Sequence, residues 1–355
     1  MNTILGLLII AVGSFGQSSS YVPIKKVKKW SWETFWLTQG VFAWLVFPFL
    51  GALLAVPQGA SLFDILGVDT PSTLFGVSFA PAAGALFFGV LWGIGGLTFG
   101  LSMRYLGVAL GQSIALGTCS AFGTLIPALF FDKQDLLHGP GLILLIGVSI
   151  TLAGIFVIGY AGTLRAKSMT EEQKKAAIKD FALTKGLLVA LLAGVMSACF
   201  SLGLKAGEPL AEAARNLGAS DLFATLPATF MVTLGGFLTN AVYCLFQNAK
   251  NKTFSDYTKT EGSVWVNNLL FCALAGLLWY SQFFGLSMGK SFLADNAIML
   301  AFSWSILMAL NVTFSNVWGI LLKEWKGSSK ATIAVLLLGL LVLVFSVFFP
   351  NLVSA

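Results

Sequence analysis

Trp279, Tyr280, Gln282 and Phe283 fall within little more than one helical turn, and Trp279 shares a face with Gln282 and Phe283 at i+3 and i+4 spacing. An indole beside a carboxamide suits a sugar. The C–H face of the sugar stacks on the ring, and its hydroxyls need fixed donors and acceptors. The alternative for such a cluster is an interfacial aromatic belt. Other polar side chains interrupt otherwise apolar runs: Gln17, Ser18, Ser19, Ser20 and Tyr21 ahead of Pro23, then Gln112 and Ser113, then Asn296. Serines can bond back to their own helix carbonyls. Gln17 has no such escape and needs a partner across a cavity or a helix interface. Asp295 is the acid best placed to bind and release a proton, since burial of a carboxylate raises its proton affinity. It can also be read as a helix-start acid favoured by the dipole, or as a partner of Lys290.

The chain contains no Gly-x-x-x-x-Gly-Lys-Ser/Thr, His-Glu-x-x-His or Gly-x-Ser-x-Gly motif, and no acidic pair lies inside an apolar run. Nucleotide hydrolysis and membrane-embedded catalysis are unsupported, so the chain reads as a non-enzyme without an organic cofactor. Cys119, Cys199, Cys244 and Cys272 lack metal-ligand spacing and read as small buried side chains. His138, ahead of Gly139-Pro140, reads as a surface loop residue.

The elements that must carry these groups follow from composition. The chain has 355 residues, 57% hydrophobic and only 10% charged, where soluble domains carry about a quarter charged residues. Its apolar stretches approach 20 residues, the length that crosses roughly 30 Å of hydrocarbon as a helix. They show no period-2 alternation, which selects helices over a barrel. Ten spans are expected, near 2–22, 34–56, 82–103, 106–130, 141–161, 183–204, 224–247, 264–288, 292–322 and 331–350. The first lacks a basic n-region and reads as an uncleaved span. Of the 21 Lys and Arg residues, only Lys133, Lys205, Arg215 and Lys290 fall outside the connections that follow odd-numbered spans. That asymmetry makes those connections cytoplasmic and puts both termini outside. It also accounts for the net charge of +6 without invoking nucleic acid.

Phe99-Gly100-Leu101-Ser102-Met103 recurs as Phe284-Gly285-Leu286-Ser287-Met288, 185 positions later, near the ends of the third and eighth spans. Each copy closes a run containing a Leu-Trp pair, Leu91-Trp92 and Leu278-Trp279. With five spans before and five after the linker, the second half enters the membrane inverted relative to the first. The expected organisation is a five-helix repeat over 1–164, a cytoplasmic linker over 165–182 with a short solvated helix near Thr170–Lys175, and an inverted repeat over 183–355.

Four stretches, in order, resemble the bacterial L-rhamnose–proton symporter family of the drug/metabolite transporter superfamily. They are Lys25-Lys26-Val27-Lys28-Lys29-Trp30-Ser31-Trp32-Glu33-Thr34, Met103-Arg104-Tyr105-Leu106-Gly107, Leu278-Trp279-Tyr280-Ser281-Gln282-Phe283-Phe284 and Leu322-Lys323-Glu324-Trp325. The resemblance implies ten helices and uptake of a 6-deoxyhexose with a proton across the bacterial inner membrane. Where that family reads Gly-Asn-x-Asn-Tyr-Gly-Leu in the third span, this chain reads Gly95-Gly96-Leu97-Thr98-Phe99-Gly100-Leu101, without the two amides and the phenol.

The expectation is a proton-coupled importer of L-rhamnose or a related deoxy sugar working by alternating access. Its alternatives are an exporter or facilitator of another metabolite on the same fold, or a non-transporting sensor or assembly protein. Trp279 and Trp92 would stack the sugar, Gln17, Gln112 and Gln282 would bind hydroxyls with Ser20, Tyr21, Tyr280 and Asn296 nearby, and Asp295 would couple the proton. Lys25–Glu33 is expected to fix topology rather than touch substrate.

Overall fold

The computed structural model describes residues 2–74, 76–106, 108–168 and 183–354. Ten of its helices are long and apolar enough to cross a membrane. They are α1 Thr3–Ile24, α2 Trp32–Leu53, α3 Pro81–Leu106, α4 Val108–Phe130, α5 Gly139–Lys167, α6 Leu183–Ala206, α7 Leu226–Asn251, α8 Gly262–Leu293, α9 Ala297–Leu321 and α10 Lys330–Ser354. The helix expected near Thr170–Lys175 lies outside the described residues.

Three features depart from ten plain helices. Between α2 and α3 lies a two-stranded antiparallel hairpin, β1 Ser72–Leu74 and β2 Val77–Phe79, so the chain is not wholly helical. The Ser72 hydroxyl donates to the carbonyl of Ala206 at 2.6 Å and seats the hairpin on the end of α6. Second, α2 widens to a π-helical stretch over Val41–Val46, closed by the Phe47 amide donating to the Phe42 carbonyl. Third, α9 begins at Ala297 rather than near 292, because the Asn296 side chain caps it by accepting from the Met299 amide at 3.1 Å.

The chain divides into two compact units, Met1–Gly93 with Gly203–Phe292, and Ile94–Leu202 with Leu293–Ala355. Both α3 and α6 run from one unit into the other, so each unit draws on both sides of the 165–182 linker. In the first unit α7 packs along α2. There α1 lies against α8 where Gly13 faces the Ser281 carbonyl, and a Cβ on Gly13 would sit 2.5 Å from that oxygen. Likewise Gly89 of α3 faces the Val232 carbonyl of α7. In the second unit α5 packs along α10, α4 along α5 and α9, and α9 also along α5 and α10. Small residues matter here because lipid gives helices no hydrophobic reason to associate, and glycine lets backbones approach. All four cysteines are buried and free.

Replacing Gly13 by Val forces α1 off α8 and is expected to cost about 1–3 kcal/mol of stability, read as a lower unfolding midpoint in detergent. Gly96→Ala is the control, since nothing lies within 4 Å of a Cβ there, and it should leave the midpoint within experimental scatter.

Candidate functional site

The first unit assembles an indole cluster from three helices. Trp92 on α3 and Trp279 on α8 have ring centroids 5.7 Å apart, tilted by 34°. Trp44 on α2 stands nearly edge-on to both, 6.1 Å from Trp92 at 88° and 6.0 Å from Trp279 at 84°. Phe283 closes the α8 side, 5.3 Å from Trp279. On the other side Trp36 lies 5.7 Å from Trp44, and its Nε1–H donates to Asn240 Oδ1 at 3.1 Å. Asn240 is buried on α7 and passes the chain on, its Nδ2 donating to the Gly236 carbonyl at 2.9 Å. Gly236 is required for this arrangement, because the Trp92 six-membered ring occupies the place a Cβ would take.

The residues singled out from sequence fall in different places. Trp92 and Trp279 lie together, with Trp44 wedged against both. Gln282 is buried, but its Nε2 donates to the Trp279 carbonyl of its own helix at 3.1 Å. Tyr280 is buried with its hydroxyl unpartnered, packed against Gly51 of α2. On α1, Gln17 is half-buried and accepts from the Ser18 hydroxyl at 3.3 Å. Ser20 is buried and Tyr21 is exposed. Ser19 bonds back to the Phe15 carbonyl at 2.7 Å, the local solution a serine run allows.

Gln112, Asp295 and Asn296 belong to the second unit. Asn296 acts as the cap of α9. Asp295 is exposed in the turn before it.

The whole chain matches one family, described as L-rhamnose-proton symport protein (RhaT), over residues 1–354. The chain belongs to that family. It is 35% identical over 349 residues to the L-rhamnose-proton symporter of Yersinia pestis (strain Pestoides F), covering 97% of this chain and 96% of that protein. The same figures hold for the L-rhamnose-proton symporter of Yersinia pseudotuberculosis serotype O:3 (strain YPIII). A symport family is a class of transporter, not of enzyme.

The basic-aromatic stretch through which this symport-family member was recognisable is a clamp. Glu33 is 5% exposed, and it is the one buried carboxylate among the described residues. It accepts from Asn251 Nδ2 at 3.0 Å and from the Thr253 hydroxyl at 2.8 Å. Asn248 bridges Thr34 and Thr253 at 3.0 and 2.8 Å. The amide and hydroxyl of Ser31 both donate to Asp256 Oδ2 at 2.8 Å. Asn268 holds both the amide and the carbonyl of Lys28, and Trp30 Nε1 donates to the Thr260 hydroxyl. In this setting burial pushes the Tyr257 phenol up to about 12. The α1–α2 connection is thereby bonded to the α7–α8 connection, in keeping with a structural role for Lys25–Glu33.

Sequence reasoning passed over Trp36 and Trp44, whereas Asn240 was read as a group that bonds helix to helix. The usable signal was Trp36, Gly40 and Trp44 at successive i+4 steps, one helical face with a glycine between two indoles.

Glu33→Ala leaves the Asn251 and Thr253 donors without their acceptor. It is expected to cost about 1–3 kcal/mol, measured as a shift in the denaturation midpoint of the purified protein. An unshifted midpoint would mean that the clamp does not stabilise the fold.

Proposed function

We propose that this chain imports L-rhamnose, or a closely related deoxy sugar, together with a proton across the inner membrane of a bacterium by alternating access. The match to the symport family over nearly every residue carries the reading. The indole cluster of the first unit gives it chemistry. A deoxy sugar offers a C–H face and a methyl group to aromatic rings and hydroxyls to the polar atoms around them. The coupling ion is the proton, with no other cofactor.

In this reading the two five-helix halves are inverted repeats with both termini outside, each position having a counterpart 185 residues on. Contacts within the second unit support that offset. Ser120 lies against its own counterpart Ser305, with hydroxyl oxygens 3.0 Å apart. Trp304 Nε1 donates to the carbonyl of its own counterpart, Cys119, at 3.3 Å. Cys119 Sγ sits 3.9 Å from Met308 Sδ, and the reciprocal contact, Gly123 against the Trp304 indole nitrogen, is also made. A residue meeting its own equivalent, with flanking contacts reciprocated, is the signature of a two-fold relation.

If the halves exchange conformations during transport, the distance between a residue and its own counterpart stays the same in both states. Ser120→Cys combined with Ser305→Cys, in a background with the native cysteines changed to alanine, is therefore expected to form a disulfide and retain counterflow exchange. Exchange lost on oxidation and restored on reduction would remove the two-fold reading.

Proteoliposome uptake of labelled L-rhamnose tests the function itself. Accumulation is expected with an inward proton gradient and only equilibration without one. Gradient-independent equilibration would make the protein a facilitator, and no uptake at all would defeat the transport reading. Asp295 remains the proposed proton carrier only if another state of the cycle buries it. Asp295→Asn should then abolish accumulation and keep counterflow, whereas intact accumulation would place the proton site elsewhere.

A further inference from the structure

Three indole N–H groups find partners on neighbouring elements. Trp36 donates to Asn240, Trp30 to Thr260 and Trp304 to a backbone carbonyl. Trp44, at the centre of the cluster and 4% exposed, does not: its Nε1 is buried without a partner. On the same helix Gln39 is 3% exposed, and its Oε1 is also buried without a partner. A buried donor or acceptor left unmade costs on the order of 1–3 kcal/mol, and such orphans in a folded protein call for an explanation. These two occur on one helix, on either side of the start of its π-helical stretch at Val41.

Wide turns of this kind are rare, appear mostly as single insertions and gather at functional sites. Five residues of ordinary α-helix would set positions 39 and 44 about 140° apart. The wider turn narrows that angle and brings the two side chains toward one side of α2. Gly40 holds the indole in place, since a Cβ there would lie 2.6 Å from the Trp44 ring. Trp44 is thus prevented from turning its nitrogen elsewhere by its own helix on one side and by Trp36, Trp92 and Trp279 on the others.

We propose that Trp44 and Gln39 form the polar edge of the sugar site, the indole N–H donating to one substrate hydroxyl and the Gln39 carbonyl oxygen accepting from another. This assignment rests on the sugar-transport reading above and adds α2 to the helices that recognise the ligand. The apolar face of the sugar then lies on Trp92 and Trp279, and the π-helical stretch of α2 sets which hydroxyls are read.

The test is counterflow exchange of L-rhamnose and of a set of its monodeoxy analogues by the full chain in proteoliposomes. Gln39→Met keeps length and removes the acceptor, and Trp44→Phe keeps an aromatic ring and removes the donor. Each variant should raise the half-saturation concentration for L-rhamnose roughly tenfold. Each should also lose that penalty for one particular deoxy analogue, a different one for each variant. A penalty equal across all analogues, or no penalty, overturns the assignment and leaves the two orphans as packing features, the Trp44 N–H then facing a neighbouring ring edge-on. If Trp44→Phe fails to give monodisperse protein, the Gln39→Met profile decides alone. Wild-type protein that exchanges no L-rhamnose defeats both the transport reading and this assignment. Exchange by the wild type with unaltered variants defeats this assignment only.

Discussion

In hydrocarbon a helix gains nothing by hiding leucine from its surroundings, so close backbone contact must do the work that hydrophobic burial does in water. Much else in this protein depends on that constraint. Gly13 brings α1 onto α8 and Gly89 brings α3 onto α7. Three of the helices so gathered, with α2, are the ones that carry the indole cluster and its support. Gly236 serves twice: it faces the Trp92 ring where a side chain would stand, and its carbonyl takes the Asn240 amide that positions Trp36. Helix packing and the indole cluster use the same small residues.

Both units contain buried polar atoms without a partner, Thr124 and Ser328 in the second as well as those of the first. In the first, the side chains around the cluster include orphans, Trp44, Gln39 and Tyr280. In the second, Ser120, Ser305 and Thr151 link hydroxyl to hydroxyl over 3.0 and 3.3 Å, and Ser201 donates to the Gly123 carbonyl at 2.6 Å. Phe200 stacks on Trp304 at 5.8 Å beside them. A chain of satisfied hydroxyls binds helices to one another. Unsatisfied donors and acceptors among aromatic rings suit a visiting ligand instead.

The ten helices were legible in the sequence because hydrocarbon thickness sets a run length that composition alone reveals. Their ends were less so. Asn296 was read as a substrate amide, yet at the boundary of α9 a side-chain oxygen meets a free backbone N–H first. Neither the hairpin at Ser72–Phe79 nor the wide turn at Val41–Val46 leaves a periodic mark, since each spans too few residues to repeat. The paired Leu-Trp runs singled out Trp92 and Trp279, but not their contact with each other. Trp44 was missed because an aromatic residue in an apolar span has the same appearance whether it meets lipid or other indoles. The family-like stretch Lys25–Thr34 was visible as a motif, but its partners are side chains of a connection more than 200 positions away.

That separation has a consequence for how the protein is made. Glu33 enters the nascent chain 220 positions before Thr253, the hydroxyl that will bond to it. At roughly 5–20 residues per second of synthesis, the carboxylate waits about 10–45 s for its partners. In that interval it must stay hydrated, which keeps the start of α2 at the membrane surface rather than in lipid. The clamp closes only once α7 has emerged, late in the biogenesis of the first unit. The N-terminal helices are thus held provisionally by water before they are held by the protein.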